Sequence, residues 1–150
     1  MDITQIHQCS AQYPVLQHFL ADHAPKIITA LGSLDLLAAK ALALFCSVKC
    51  PGSLILQAYD LAQHLSQSDI TIISGFHSPV ERECLTVLLR SHNPIIICPA
   101  RGIESMRIPS EYKKPLAERR LLILSPFSEK RRRATSQMAL YRNRQVAAPL

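Results

Sequence analysis

Four short apolar runs divide the chain after its first forty residues. They occupy Ala41–Cys46, Ile70–Ile73, Pro94–Cys98 and Leu121–Leu124. The second and third runs are rich in isoleucine and show no regular alternation of polar and apolar residues. That pattern is typical of strands covered by helices on both faces, as in a parallel sheet. The sequence therefore predicts about four buried strands.

The segments between and after these runs carry apolar residues at helical spacing. Helices are predicted at Leu54–Leu65, Pro79–Ser91, Ser110–Glu118 and Thr135–Ala147. Strands that alternate with helices favour βα units, a parallel sheet and right-handed crossovers. Since a chain of 150 residues can bury one core of its own, we expect a single α/β domain. Its open sheet is mainly parallel and flanked by helices.

The first forty residues show no strand of this buried type. Apolar residues at helical spacing predict a short helix between Tyr13 and His23. Ile27–Leu31 is apolar but is followed at once by Gly32, after which Ser33 has the character of an N-cap. We therefore expect this segment to form a small helical lead-in to a core at residues 41–148.

The turn after the second predicted strand has the residues of a possible anion-binding site. Ser74 and Gly75 allow a sharp turn, because glycine carries no Cβ atom. Ser78 is a possible N-cap, Pro79 a first helical residue, and Glu81 a negative charge in the first turn. Such a turn presents backbone N–H groups and a helix dipole to small anions. An ordinary connecting loop remains the alternative.

The loops after all four strands should converge, since the carboxyl ends of parallel strands share one edge of a sheet. Hydroxyl, backbone N–H and guanidinium groups suit phosphate recognition. Side chains of this kind occur in these loops and on the last helix, at Ser47, Lys49, Ser53, Ser74, Arg101, Arg142 and Arg144. The sequence therefore predicts a phosphate-binding site at this edge.

The formal net charge is +6, and much of the positive excess lies in the last third of the chain. Such a cluster suits the phosphates of nucleic acid or of a nucleotide. The run Lys130–Arg133 fits either phosphate binding or a solvated loop that keeps the protein soluble, and both alternatives stay open. The sequence shows neither a membrane-spanning apolar run nor a signal peptide. We expect a cytoplasmic protein with no membrane partner.

Several motifs of enzymes and cofactor sites are absent from the sequence. It lacks the phosphate loop G-x-x-x-x-G-K-[ST], the dinucleotide fingerprint G-x-G-x-x-G and the nucleophile turn G-x-S-x-G. Cys46 and Cys50 lie four residues apart, but no further ligand spacing supports a metal or redox site. We expect no cofactor, no metal and no catalytic residue. Whether the protein is an enzyme stays open, with a binding role favoured.

Together these features resemble the DNA-processing protein A (DprA/Smf) family, whose Rossmann-like domain is related to that of the LOG phosphoribohydrolases. Family members have a strand ending in G-S-R, a glycine that opens the next helix, S-G-x-A-R-G-I-D, and R-N-R-I-I-A on a later helix. Ser47 and Gly52 match the first two features, Ser74-Gly75 begin the third, and Arg142–Ala147 matches the fourth. The resemblance covers roughly residues 30–148.

The chain departs from this family pattern at positions that usually carry glycine or basic residues. Cys46 and Val48 replace the glycine and arginine of G-S-R. Four residues stand where the second motif has Ala, Arg, Gly and Asp, namely His77, Ser78, Pro79 and Glu81. The chain also ends near the close of the last predicted helix, whereas family members continue with further strands. We therefore expect a reduced relative or a fragment, with an open sheet edge that favours self-association.

The resemblance implies a binding protein that acts in DNA processing, recombination and transformation. Its implied partners are single-stranded DNA, a recombinase and further copies of the same chain. The P-G-G-x-G-T-x-x-E signature of the phosphoribohydrolases is missing, so their activity is not implied. The residues proposed to bind single-stranded DNA or a nucleotide are Ser47, Lys49, Ser53, Ser74, Gly75, Phe76, Arg101, Arg142, Asn143 and Arg144.

Two other hypotheses stay open at this point. One is an enzyme acting on a nucleotide-derived small molecule, with Glu81 or Glu83 as its catalytic carboxylate. The other is a degenerate scaffold that has lost its pocket and serves only in self-association. The altered motif residues favour the scaffold, and the cations predicted along one sheet edge favour the binding module.

Overall fold

A sheet of six strands forms the centre of the fold in a computed structural model that describes residues 2–13, 24–128, 130 and 133–147. The strands are β1 (Thr4–His7), β2 (Ile27–Gly32), β3 (Ala41–Ala43), β4 (Thr71–Ser74), β5 (Ile95–Ile97) and β6 (Leu121–Ser125). Their spatial order is β1-β2-β6-β5-β4-β3. β3 to β6 run parallel, whereas β2 pairs antiparallel with β6 and β1. The sheet is therefore mixed and mostly parallel.

An α-helix follows each of the four parallel strands. These helices are α1 (Gly52–Leu65), α2 (Pro79–Arg90), α3 (Ser110–Ala117) and α4 (Ser136–Ala147). These four strands and four helices lie within a few residues of the bounds predicted from the apolar pattern. The predicted Rossmann-like α/β fold is confirmed. No helix among the described residues is long and apolar enough to cross a membrane.

Helices cover both faces of the sheet, which explains the uninterrupted apolar runs. On one face, residues of the central strands pack with Val146 of α4. On the other face, the strands pack with Leu85 and Leu88 of α2 and with Leu116 of α3. Successive strand residues point to opposite faces. Strands that lie between two helical layers therefore need apolar residues at every position.

The described part of the first forty residues, 2–13 and 24–40, differs from the predicted helical lead-in. Ile27–Gly32 is instead strand β2, which lies between β1 and β6 in the sheet. Ile28 and Ala30 are buried in one core cluster and Leu31 in the other. The segment therefore buries side chains on both faces as an inner strand, which a short surface helix would not do. The sheet accordingly has six strands where the apolar runs predict about four.

The helical content of this region is small where the structure describes it. Leu34–Ala38 forms a short 3-10 helix, and the Ser33 side chain does not cap it. The predicted helix between Tyr13 and His23 lies outside the described residues, apart from Tyr13 itself. The division into a lead-in and a core is therefore replaced by one continuous sheet.

Asn93 joins the stretch between α1 and β4 to the amino end of β5. The residue is 1% exposed, and its Nδ2 donates to the carbonyl oxygens of Leu65 and Ser68 at 2.8 Å and of Ile70 at 3.2 Å. We expect Asn93→Ala to lower the free energy of unfolding by about 1–3 kcal/mol, because these acceptors lose their donor. Urea denaturation measures the change. Gln63→Ala, which removes an exposed amide, is the control, and equal losses would contradict this role.

Candidate functional site

Hydrogen bonds join the loops after the four parallel strands into one surface. We call this surface the carboxyl edge (residues 44–51, 75–78, 98–103 and 125–128). Three bonds connect its loops to each other and to α2 and α4: Cys46 N to Glu81 Oε1 (2.9 Å), Arg142 Nη1 to Cys98 O (3.0 Å) and Ser125 Oγ to Arg101 O (2.6 Å). The predicted convergence of these loops follows from the parallel strands.

The Glu81 carboxylate organises the beginning of α2. Its Oε2 accepts hydrogen bonds from the backbone N–H groups of His77 (2.8 Å) and Ser78 (3.0 Å). The Ser78 hydroxyl in turn accepts one from Glu81 N at 3.3 Å, which completes a capping box. Oε1 accepts from Cys46 N at 2.9 Å, so the same carboxylate fixes the loop after β3. Sequence reasoning missed this role, although a serine three residues before a glutamate signals it.

Arg142 is a cation of the carboxyl edge, but it lies in the interior. The residue is 3% exposed; its Nη1 donates to Cys98 O at 3.0 Å and its Nε to Asn143 Oδ1 at 2.7 Å. Burial lowers the pKa of the Arg142 guanidinium, and the nearby Glu81 carboxylate raises it. An arginine stays protonated under such conditions. Arg142 therefore places a fixed positive charge beneath the surface of the edge.

Gly75 leaves the space that the Arg142 guanidinium fills. A Cβ atom on Gly75 would overlap the Arg142 side chain. Beside it, Ser74 is fully buried, and its Oγ accepts a hydrogen bond from Phe76 N at 3.1 Å. Phe76 has a left-handed backbone (φ 46°) and buries its ring in the core. Gly75 is thus a half-buried residue between two residues, Ser74 and Phe76, that are buried.

The remaining predicted site residues lie nearer to solvent. Four side chains are exposed and two are half-buried: Ser47, Lys49, Ser53 and Arg144 in the first group, Arg101 and Asn143 in the second. The structure therefore brings Ser74, Gly75, Phe76, Arg142 and Asn143 together in one contact network. It places the other five residues in or beside the loops around that network, Arg144 on the outer side of α4.

Arg101 carries an unsatisfied donor at the carboxyl edge. Its Nε is buried and has no hydrogen-bond partner among the described residues. The loop around it is held firmly, because Ser125 Oγ donates to Arg101 O at 2.6 Å. Gly102 adds to this, since a Cβ there would lie 2.9 Å from the carbonyl carbon of Ser128. An anionic oxygen would satisfy the guanidinium at this position.

A cleft of about 350 Å³ opens beside the carboxyl edge. It lies between β2 and the end of β6, and its lining includes Lys26, Thr29, Glu104, Phe127 and Tyr141. The rings of Phe127 and Tyr141 meet edge to face, with centroids 5.9 Å apart at 61°. Sequence reasoning missed this cleft, because its residues come from distant segments and β2 was expected to be helical.

The basic run at residues 130–133 is described only in part. Lys130 and Arg133 are exposed, whereas Arg131 and Arg132 lie outside the described residues. The structure therefore leaves both alternatives for this run, phosphate binding and a solvated loop, as the sequence has them.

The described residues contain no group of three or more His, Cys, Asp or Glu side chains placed to hold a metal ion. All five cysteines are free. Burial raises the pKa of the Cys84 thiol to about 11 and that of the Cys98 thiol to about 12. Both therefore stay protonated and act as small apolar core residues.

Comparisons with known proteins agree with this architecture. Residues 4–149 match the family model of DNA recombination-mediator protein A. The structure is similar to that of DNA processing protein A from Streptococcus pneumoniae, with a TM-score of 0.75 at 20% identity. It is also similar to DNA processing protein A from Helicobacter pylori, a protein that binds single-stranded DNA, with a TM-score of 0.73 at 19% identity.

Both alignments cover 99% of this chain, which spans 52% of the Streptococcus pneumoniae chain and 66% of the Helicobacter pylori chain. At these identities the likeness shows the fold. A comparison with curated protein sequences gave no match.

The contact between Gly75 and Arg142 predicts that adding a methyl group at Gly75 destabilises the protein more than adding one at an open glycine. We expect Gly75→Ala to lower the free energy of unfolding by about 1–3 kcal/mol, because the new Cβ overlaps the guanidinium. Gly52→Ala is the control: a Cβ there meets no atom within 4 Å, and we expect a change below about 0.5 kcal/mol. Chemical denaturation measures both variants.

The same pair can be tested by a double-mutant cycle. In an Arg142→Ala background the added methyl group has room, so the loss caused by Gly75→Ala should shrink. A loss of equal size in both backgrounds would show that Arg142 does not occupy the space at Gly75.

Proposed function

Because this chain belongs to the DNA recombination-mediator protein A family, we propose that it binds single-stranded DNA along the carboxyl edge of its sheet. One observation carries the proposal: exposed Lys49 and half-buried Arg101, whose Nε has no partner among the described residues, lie at an edge built from converging loops. Family membership and the DNA binding of the Helicobacter pylori neighbour support DNA as the ligand.

The burial of the site residues suggests two roles within the edge. The exposed or half-buried side chains contact phosphate oxygens, and they are Ser47, Lys49, Ser53, Arg101 and Arg144. The buried ones hold the loops in shape, and they are Ser74, Phe76 and Arg142, with Asn143 accepting from Arg142 Nε. Gly75 belongs to both groups, since it makes room for Arg142 and leaves its own backbone open to a ligand.

Electrostatics support this arrangement over a nucleotide hydrolase. The net charge of +6 favours a polyanion. The Glu81 carboxylate, a candidate catalytic group in the enzyme hypothesis, already accepts hydrogen bonds from three backbone N–H groups. A carboxylate with these partners is held in place as a structural acceptor. A free nucleotide remains a smaller ligand of the same phosphate chemistry.

The proposal predicts a salt-dependent loss of binding in one double variant. Lys49→Ala/Arg101→Ala removes two cations of the carboxyl edge. We expect weaker binding to an oligothymidylate, with a slope of log K against log salt smaller in magnitude by about 1.4, since each phosphate contact on a single strand contributes about 0.7. Fluorescence anisotropy across a salt series measures both quantities.

A matched variant controls for net charge. Arg90→Ala/Lys114→Ala also removes two cations, from exposed positions that line a cleft at the amino end of β5. It should leave most of the affinity and the salt slope in place. If the two double variants lose binding equally, the DNA does not bind at the carboxyl edge.

We also propose that the chain forms a homo-oligomer through β3 and α1. β3 is an edge strand of the sheet, and Ala62 is the one buried residue of α1. The large apolar side chains exposed on and around these elements are Leu42, Phe45, Val48, Leu54, Ile55, Leu56, Tyr59, Leu61 and Ile70. Open strand edges and apolar patches of this kind favour association.

A second copy of the chain fits this surface by its charge. Asp60 is the only carboxylate of α1, and the helix carries neither lysine nor arginine. Two copies of α1 can therefore approach with little repulsion between like charges. A two-fold arrangement would pair the β3 edges and bury both apolar faces at once.

Changing one exposed leucine should dissociate this oligomer. Leu56 is 68% exposed on α1, and Leu140 is 57% exposed on α4. We expect Leu56→Glu to shift the protein to monomers in sedimentation velocity, because a charge cannot be buried in the apolar interface. Leu140→Glu is the control, and it should sediment with the same oligomeric mass as the unmodified protein. A monomer at every protein concentration before substitution would contradict the oligomer.

Family membership further supports a recombinase as protein partner and the cytoplasm as location. Both proposals stand on the family alone. Co-sedimentation with the recombinase of the same cell tests the first proposal, and a failure to co-sediment would contradict it. Fractionation of that cell tests the second, and absence of the protein from the cytoplasmic fraction would contradict it.

A further inference from the structure

The cleft beside the carboxyl edge is suited to a single nucleobase. Its volume of about 350 Å³ lies near the lower end of small-ligand pockets, which are about 300–1,000 Å³. The cleft is open to solvent beside the loop that carries Arg101. Ser125 links the two places, since its Oγ donates to Arg101 O at 2.6 Å and accepts from Phe127 N at 3.1 Å.

Aromatic side chains form one wall of this cleft. Phe127 and Tyr141 are both half-buried, and their rings meet edge to face with centroids 5.9 Å apart. In that arrangement one ring can present its face to the cleft. An unpaired base can stack on such a face, as bases do in many proteins that bind single strands.

The cleft is also lined by the Glu104 carboxylate, which has one oxygen without a hydrogen-bond donor among the described residues. Glu104 Oε1 accepts a hydrogen bond from Thr29 Oγ1 at 3.3 Å. Its Oε2 is buried and has no partner among the described residues. Gly102 leaves room beside this oxygen, since a Cβ there would lie 3.1 Å from it. A carboxylate oxygen without a donor is costly to bury, so a ligand N–H group would complete the site.

Lys26 adds a donor to the same cleft. The residue is exposed, and its ammonium group can approach an acceptor on a base that lies against Glu104. Guanine carries the O6 acceptor next to two donors, N1–H and the N2 amino group. The other three bases lack two adjacent donors on this edge. A carboxylate together with an ammonium group therefore matches guanine best.

We propose that this cleft binds one base of the DNA strand and prefers guanine. The base stacks on the Phe127–Tyr141 wall, Glu104 accepts from N1–H and the N2 amino group, and Lys26 donates to O6. This contact requires the half-buried Glu104 side chain to turn, because its Oε2 is buried in the structure. The inference rests on the proposed binding of single-stranded DNA and adds base selectivity to it.

Anisotropy titrations with four oligonucleotides test this preference. Each is an oligothymidylate of twelve bases whose sixth base is dG, dA, dC or dT, measured at one salt concentration. We expect the dG oligonucleotide to bind about tenfold more tightly than the dT one, in line with a bidentate contact to a base. Phe127→Leu should weaken the binding of the dG oligonucleotide, since it removes an aromatic ring from the wall of the cleft.

Glu104→Gln should reduce the preference to about twofold or less, because an amide cannot accept both donors. It should leave binding of the all-dT strand in place or strengthen it, since a negative charge is lost. Glu111→Gln removes the same charge from an exposed site on α3, and it should keep the preference for guanine. Thermal melting confirms that each variant is folded.

The possible outcomes distinguish failure of the guanine site from failure of the proposed binding of single-stranded DNA. Equal affinity of the unmodified protein for all four oligonucleotides overturns the guanine site and leaves DNA binding intact. A guanine preference that survives in Glu104→Gln overturns the role of Glu104. No binding of any oligonucleotide at low salt overturns both proposals.

Discussion

The carboxyl edge depends on the contacts that the buried Arg142 guanidinium makes. This guanidinium lies against Gly75 after β4, donates to Cys98 O after β5, and belongs to α4. Two strand ends and a helix are therefore held by one planar cation whose burial is offset by its hydrogen bonds and by the Glu81 carboxylate nearby. Glu81 extends the same network to the loop after β3. The shape of the edge is set by buried charge, which leaves its exposed cations free to meet a ligand.

Under the proposed function, this division lets a chain with altered motifs keep a binding surface. The sequence lacks the usual arginine of the first family motif, where Val48 stands, and that side chain is 68% exposed. Positive charge at the surface comes instead from Lys49 and Arg101, on loops that the buried network fixes. Phe45 and Val48 in the same loop as Lys49 are exposed apolar side chains, which favour contact with protein over contact with DNA.

The elements that sequence predicts well are those whose burial is nearly uniform. β4, β5 and β6 lie between two helical layers, so every residue is apolar or small and the runs are unmistakable. β2 was not predicted as a strand, because one of its two partners, β6, lies some ninety residues further on, and a short apolar run before Gly32 carries no sign of that pairing. The burial of Arg142 could not be predicted either, because it depends on the missing side chain of Gly75 and on Cys98 O. The cleft at Glu104 is assembled from segments that only the folded chain brings together.

The most direct test of the carboxyl edge is an NMR titration of the isotope-labelled protein with a short oligothymidylate. Amide signals of Gly75, Phe76 and the loop around Arg101 should shift in proportion to the DNA added, because these groups lie where phosphate is expected to bind. Signals of Ser91 and His92, before β5 at the other end of the sheet, should stay in place. Shifts confined to Ser91, His92 and their neighbours would contradict the account and place the DNA at the opposite edge.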